Sequence, residues 1–217
     1  MSSLDLEEAR RLFGDDLIEP ATLSALLGSD PASVPLIPFA RETAEAAQRS
    51  GCILVYRPAT LPDGRPLTLA TLAEVGSGRS DGLVAFAGEE PWFVGDPVAG
   101  VEPVEAGWAL AAKEPWPETI NKTYPLAEQA LARRAGATPW RRRRAAEIAF
   151  DTLAFAAARR TRLLADRWDW SSTSSLDGGL LNVGGFKESG LEVLSYSRAV
   201  KHGALGICPT LVGHPGR

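Results

Sequence analysis

The chain has 217 residues, of which 45% are hydrophobic, enough for a sizeable buried core. Its 23 lysines and arginines against 27 aspartates and glutamates give a net charge of −4 at pH 7, which argues against nucleic acid or an anionic membrane as the partner. No apolar run reaches the roughly 18 residues that a membrane helix needs, so we expect no membrane span.

Residue usage and the amino terminus bear on the environment of the protein. Residues 1–16 lack the charged and then apolar pattern of a secretory signal, so the cytoplasm is the default expectation for its location. Nineteen of the 23 cations are arginine, and the chain holds only two Asn, two Gln and one Met. Such usage is typical of heat-adapted proteins, although a GC-rich genome produces the same bias.

The two cysteines, Cys52 and Cys208, are too few to build a disulfide framework. Two lone buried thiols are favoured over a single disulfide between them. Cys208 follows the apolar residues of a predicted closing strand and precedes a proline. We expect it to be an inert, partly buried thiol that packs as a small hydrophobic residue.

Helical and strand patterns alternate over the first part of the chain. Three helical segments each end at a glycine, the residue favoured just after a helix. An apolar, β-branched run that ends at a proline predicts a strand, and a Pro-Asp-Gly sequence predicts a turn after it. In chain order the predicted elements are helices at 4–13, 22–27 and 39–50, a strand at 52–58, a turn at 61–64 and a helix at 67–75.

The middle of the chain is rich in glycine and proline and is followed by the strongest helical pattern. Residues 79–117 contain three tryptophans, with strands expected at 83–86 and 108–112. Thr138 and Pro139 are typical of the N-cap and first position of a helix, which we expect to run to about Ala165. Since the sequence has no internal repeat and no long linker, we expect a single composite domain over 1–217, helical over 1–50 and mixed over 51–217.

Few patterns in the body of the chain indicate catalysis or cofactor binding. The four arginines at 141–144 could hold phosphate, but a solvated face is favoured because cations oppose the dipole at a helix start. The glycines at 76–78 lack the spacing of a dinucleotide-binding loop, and the histidines and cysteines lack metal-ligand spacing. Asp177, His202 and a serine are the residue types of a catalytic triad, but the sequence has no GxSxG motif that would position a nucleophile. We therefore expect no catalytic residue, no metal and no cofactor.

The last fifty residues have the most distinctive pattern. From Trp168 onward, short apolar runs alternate with glycines and small polar residues, which predicts short antiparallel strands joined by turns. Residues 194–204, with the sequence LSYSRAVKHGA, have no clear period and combine hydroxyls, an aromatic ring, cations and a histidine. Because well-patterned strands flank this stretch, we expect residues 177–210 to present it as a surface.

The carboxy-terminal segment resembles the variable proteins of diversity-generating retroelements. The matching motifs are Ser175-Leu176-Asp177-Gly178, Val183-Gly184-Gly185-Phe186, Gly190-Leu191 and Leu205-Gly206-Ile207. The resemblance implies an α+β fold of the C-type-lectin-like, formylglycine-enzyme-related type over residues 51–217, with a long helix before the short antiparallel strands. It also implies a non-catalytic ligand-binding protein that displays a diversified carboxy-terminal surface, with a protein as the expected ligand and no nucleic acid as a partner.

The resemblance divides the segment into buried and displayed residues. Apolar side chains that would fix the strand register, here called the frame residues, are Val183, Phe186, Leu191, Val193, Leu205 and Ile207. Glycines that would serve turns or close backbone approach are Gly178, Gly184, Gly190 and Gly206. Residues that would be displayed to the ligand are Asn182, Gly185, Lys187, Leu194, Ser195, Tyr196, Ser197, Arg198, Ala199, Val200, Lys201, His202 and Ala204. Trp168 and Trp170 are expected on one strand face, in packing or as a ligand platform.

Two other classes of function remain alternatives at this point. Formylglycine-generating and related sulfoxide-forming enzymes resemble the same tail, but the former use paired cysteines and the latter a facial triad of iron ligands, which the sequence does not offer. A structural protein of a phage or cell surface is the other alternative. The sequence specifies neither the ligand nor the oligomeric state.

Overall fold

A computed structural model describes residues 4–27, 35–77 and 83–213 and has the α+β class that the sequence predicts. In these ranges the α-helices are α1 (Leu6–Phe13), α2 (Ser24–Leu27), α3 (Arg41–Arg49), α4 (Leu69–Ser77), α5 (Val98–Val101), α6 (Tyr124–Ala135) and α7 (Ala145–Arg159). The strands are β1 (Leu17–Ile18), β2 (Cys52–Arg57), β3 (Gly107–Ala112), β4 (Trp168–Ser174), β5 (Leu180–Lys187), β6 (Gly190–Tyr196), β7 (Leu205–Gly206) and β8 (Thr210–Val212).

The strands form two four-stranded sheets. The first sheet has the order β1-β2-β3-β8, with β3 antiparallel to both β2 and β8. The second sheet has the order β6-β5-β4-β7, in which β5 is antiparallel to both of its neighbours and β7 is parallel to β4. Residues 168–206 therefore build the second sheet, and the chain then returns to the first sheet through β8.

The long helix α7 connects the two sheets. Every residue from Ala145 to Ala157 is buried, and the helix contacts β1 and β2 of the first sheet as well as β4 and β5 of the second. Its many alanines allow this close approach, and a helix that is apolar nearly all round is typical of a core position. Buried apolar side chains from α7 and both sheets form one continuous cluster.

The long helix begins later than the sequence pattern predicts. It starts at Ala145, where Arg144 is the N-cap residue and the Glu147 side chain accepts a hydrogen bond from the Arg144 backbone N–H at 2.8 Å. The expected start at Thr138 is wrong because the preceding chain pairs with β8 instead. The backbone N–H of Arg141 donates to the Thr210 carbonyl at 2.9 Å, and the reciprocal bond measures 2.8 Å.

Two further elements differ from the sequence prediction. Residues 83–86 do not form a strand; only Phe86 makes an isolated bridge, parallel to Leu191 of β6. Helix α6 was not predicted, although Pro125 near its start and apolar residues at helical spacing were signals for it. The remaining predicted helices and strands of the first 112 residues are present, with ends shifted by a few residues.

The carboxy-terminal strands β4, β5 and β6 are antiparallel as predicted, whereas β7 is parallel to β4. All six frame residues are buried, with at most 4% of their surface exposed. Gly184 is required by space, since a Cβ at this position would collide with the carbonyl oxygen of Arg167. Gly190 has φ 109°, which favours glycine, and a Cβ there would collide with the backbone of Phe86. Because these glycines have no side chain, β5 and β6 can lie against neighbouring backbone.

Candidate ligand-binding face

Residues 194–204 together with Lys187 and Trp168 form the candidate site, here called the carboxy-terminal face. Strand β6 carries the chain as far as Tyr196, and β7 resumes at Leu205. The loop between them is held by backbone hydrogen bonds to two other parts of the molecule. Tyr124 N–H donates to the Arg198 carbonyl at 2.9 Å, and Trp168 N–H donates to the Ala204 carbonyl at 2.9 Å. The loop is thus fixed at both ends by its backbone.

Most side chains of the face are accessible. Lys187, Ser197, Arg198, Ala199, Lys201 and His202 are exposed, and Leu194, Ser195, Tyr196, Val200 and Ala204 are half-buried. Because the backbone supplies the anchoring contacts, these side chains are available to a ligand.

Trp168 lies at the edge of the face beside His202. The two rings meet edge to face, with centroids 5.9 Å apart and an interplanar angle of 88°. The indole also fills the space next to Gly185, where a Cβ would lie 2.7 Å from Trp168 Cζ2. Trp168 is half-buried, so one part of the ring packs and another part is open to solvent.

Two residues expected to be displayed, together with Trp170, lie in the interior. Asn182 and Trp170 are fully buried, and Gly185 is buried with φ 57°. Asn182 and Gly185 belong to β5, the inner strand between β4 and β6, which is buried continuously from Leu180 to Phe186. The prediction of these two as displayed residues is wrong because an inner strand covered on both faces hides alternate side chains as well. Trp170 takes the packing role and meets Tyr124 edge to face at 6.0 Å.

Tyr124 supports the face and was missed by the sequence analysis. Its ring lies 4.5 Å from Arg142 Cζ and 5.5 Å from Arg198 Cζ, both within the range of cation–π attraction. Burial raises the pKa of the Tyr124 hydroxyl. Since its backbone N–H also holds the Arg198 carbonyl, Tyr124 positions the loop through both main chain and side chain.

The serines near Asp177 form a turn rather than a catalytic triad. Ser175 Oγ donates to the Asp177 carboxylate, and Ser195 Oγ does so at 3.1 Å. The bond from Ser175, with the N–H of Gly179 and the hydroxyl of Ser195, lowers the pKa of Asp177. His202 Nδ1 accepts from the Ala204 N–H at 3.2 Å, and no hydrogen bond in the described ranges joins it to Asp177. The arrangement fixes the turn between β4 and β5.

The four arginines at 141–144 do not form the solvated face that the sequence predicts. Arg143 is only 1% exposed, and its guanidinium donates to Asp151 at 2.9 Å and to Asp169 at 2.9 Å. The other three are half-buried and line a cleft of about 460 Å³. Within the cleft Arg141 pairs with Glu105 at 2.8 Å. The prediction failed because the chain at 141–144 is extended and directs its side chains into the protein.

A buried ion network links the helix α7 to both sheets. Arg57 of β2 donates two hydrogen bonds to Asp151 of α7, at 2.8 and 2.6 Å, and one to Glu147 at 3.3 Å. Asp169 of β4 accepts from Arg143 and from the backbone N–H of Cys208, the latter at 2.8 Å. The network therefore fixes the chain at Asp169, next to Trp168, and at Cys208, shortly after β7.

Burial and pairing shift two carboxylates of this network in opposite directions. Burial opposes the ionisation of Glu147, but Arg57 and Arg141 outweigh it and lower its pKa to about 2. At Asp169 burial dominates and raises the pKa to about 6, against the attraction of Arg143. Buried or partly buried arginines favour the ionised form of both carboxylates, but only at Glu147 do they outweigh burial.

Both cysteines are free and buried, and the alternative of a disulfide between them is wrong. Cys208 is 0% exposed, more deeply buried than expected. Burial raises the pKa of its thiol well above the ordinary value, and burial also raises that of Cys52 to about 12. Across 4–27, 35–77 and 83–213, no three His, Cys, Asp or Glu side chains are grouped so as to hold a metal ion.

Comparisons with known proteins found no match. No family model matches the chain, and no curated protein or solved structure matches it. None of the helices in the described part of the chain is long and apolar enough to cross a membrane.

Proposed function

We propose that the protein is a non-catalytic ligand-binding protein that contacts a protein ligand through its carboxy-terminal face. The observation that carries the proposal is the contrast between the frame and the loop. The frame residues are buried, whereas Ser197, Arg198, Lys201 and His202 are exposed on a loop fixed by its backbone. Such a loop tolerates different side chains without loss of the fold.

The composition of the face favours a protein ligand. Tyr196 and Trp168 provide rigid aromatic area at low entropic cost, and Arg198 and His202 provide hydrogen bonds and charge. The exposed Ser197 adds an adaptable hydrogen-bonding group. This combination is typical of surfaces that bind proteins.

The resemblance to variable proteins of diversity-generating retroelements belongs to the same proposal. In that family the displayed residues vary while the frame is constant. The exposed loop at 197–203 and the buried frame residues support this division. Because Asn182 and Gly185 are buried, the proposed variable residues are reduced to 187, 194–202 and 204.

The test is selection from a random peptide library displayed on phage. Wild-type protein and the variant Tyr196→Ala, Arg198→Ala, His202→Ala serve as targets. The matched control replaces three residues on exposed helix faces, Arg11→Ala, Gln129→Ala and Arg133→Ala. We expect selected peptides to bind the wild type and the control but not the face variant.

Thermal melting accompanies the selection and tests the structural half of the proposal. Arg198 and His202 are exposed, and surface substitutions usually change stability by at most about 0.5 kcal/mol each, so the double variant Arg198→Ala, His202→Ala should melt close to the wild type. A large loss of stability would show that these side chains are core residues and would contradict the proposal. Selected peptides that bind all three proteins equally would contradict it as well.

A further inference from the structure

We infer that the protein ligand presents an acidic segment, rich in aspartate and glutamate, to the carboxy-terminal face. This inference rests on the proposed function and names the chemistry of the partner. The observation behind it is that exposed cations without an ion pair lie on and beside one loop of this face.

Most cations outside the face are paired with carboxylates. Ion pairs in the described ranges involve Arg10, Arg41, Arg49, Arg57, Arg65, Lys113, Arg134, Arg141, Arg142, Arg143 and Arg159. No ion pair within these ranges involves Arg198 or Lys201 of the face. Their positive charge is therefore available to a partner.

Another cation without an ion pair in the described ranges lies on the chain beside the loop. Lys122 sits between Asn121, whose N–H donates to the Leu205 carbonyl, and Tyr124, whose N–H donates to the Arg198 carbonyl. Within the described residues Lys122 also forms no ion pair. Lys122, Arg198 and Lys201 thus lie on two neighbouring segments of the chain and are here called the cationic cluster, and His202 follows Lys201 in sequence.

Two carboxylates on neighbouring elements already have partners. Glu128 pairs with Arg142 at 2.5 Å, and Asp177 accepts from Ser175 and Ser195. The segment 194–204 itself contains no acidic residue, in a chain whose net charge is −4. A local cationic cluster on an acidic protein attracts an acidic partner and steers it to one face.

The experiment measures binding of a fluorescein-labelled poly-L-glutamate peptide by anisotropy. The face variant is Arg198→Glu, Lys201→Glu, and the control reverses two exposed cations elsewhere that form no ion pair in the described ranges, Arg11→Glu and Arg133→Glu. Each pair of reversals takes the net charge from −4 to −8, so the two variants differ only in where the charge changes. A labelled DNA duplex serves as the second probe.

We expect wild type to bind poly-L-glutamate at low salt and more weakly at roughly 0.15 M salt, where charges are screened beyond about 8 Å. The face variant should bind about tenfold more weakly, and the control should stay within about twofold of wild type. Equal weakening of both variants, or binding of the duplex without binding of poly-L-glutamate, would overturn the inference.

The peptide selection separates this inference from the proposed function. Selected peptides that depend on the face and are enriched in Asp and Glu would support both. Peptides that depend on the face but are not acidic would overturn the inference and leave the proposed function standing. If no selected peptide depends on the face, the proposed function fails.

Discussion

Replacing Asp151 by asparagine should destabilise the protein far more than any change on its surface. The Asp151 carboxylate lies in the core and accepts from Arg57 at 2.8 and 2.6 Å and from Arg143 at 2.9 Å. Asparagine has nearly the same shape, so the substitution leaves no cavity. It removes the charge shared by two guanidinium groups that are at most 1% exposed.

The expected cost follows from this burial. Breaking a buried ion pair by removing one partner costs about 3–5 kcal/mol, a large part of a total stability of roughly 5–15 kcal/mol. For a chain of this size each kcal/mol lowers the melting temperature by about 2–4 °C, so D151N should melt about 6–20 °C below wild type.

Thermal and urea unfolding followed by circular dichroism provide the measurement. The matched control is Glu118→Gln, which removes the acid of an exposed pair with Arg134, where the side chains are 51% and 36% exposed. Exposed pairs contribute about 0–1 kcal/mol, so the control should unfold close to wild type. If D151N unfolded at the same temperature as E118Q, the network would not hold α7 to the sheets and the reasoning would be refuted.

Four further predictions concern the core and the gene. The raised pKa of Asp169, about 6 against an ordinary 3.8, means that its protonation stabilises the fold below about pH 4 and that this contribution is lost as the pH rises through about 6. Urea unfolding over that pH range should show that the free energy of unfolding of wild type, relative to that of Asp169→Asn, falls as the pH rises. A difference that stays constant with pH would contradict this prediction. Gly184→Ala should cost about 1–3 kcal/mol or more, because the backbone of Arg167 occupies the space, while Gly203→Ala, with open space around it, should cost at most about 0.5 kcal/mol. Cys208 in the folded protein should react slowly with iodoacetamide at neutral pH, since burial raises its pKa; rapid stoichiometric alkylation would contradict the buried position. Sequencing around the gene should reveal a near-copy of its last part that differs chiefly at adenines, and absence of such a copy would count against the retroelement proposal.

The sequence predicts the second sheet well because local signals specify it. Turn glycines and alternating apolar residues place β5 and β6, and the buried side chains of Leu191 and Val193 alternate with half-buried Glu192 and Leu194, as the pattern requires. These signals act between residues close in sequence, so they can be read without knowledge of the tertiary fold.

The ion network could not be predicted because its partners are distant in sequence. Arg57 and Asp151 are separated by 94 positions, and Arg143 and Asp169 by 26. From the sequence alone, a run of four arginines is expected on the surface. The backbone pairing of Arg141 with Thr210 of β8 places this segment against the protein instead. The late start of α7 has the same origin, since tertiary pairing overrode the helix signal at Thr138.

Burial of Asn182 has a different cause. Alternation on β5 correctly separates the two faces of the strand, but it does not show that both faces are covered. The side chain is held by a bond from its Nδ2 to the Leu180 carbonyl at 3.0 Å, a local contact that an exposed asparagine would make equally well. Only the position of β5 inside the sheet distinguishes the two cases.

The central claim is that the carboxy-terminal face binds the ligand. It is tested most directly by the affinity of one library-selected peptide for two proteins. Its dissociation constants for wild type and for the variant Tyr196→Ala, Arg198→Ala, His202→Ala should be measured by calorimetry under conditions where both are folded. We predict that the variant binds at least about a hundredfold more weakly, since truncated anchor residues at the centre of interfaces cost about 1–2 kcal/mol or more each. Equal affinity for both proteins would contradict the assignment of ligand binding to this face.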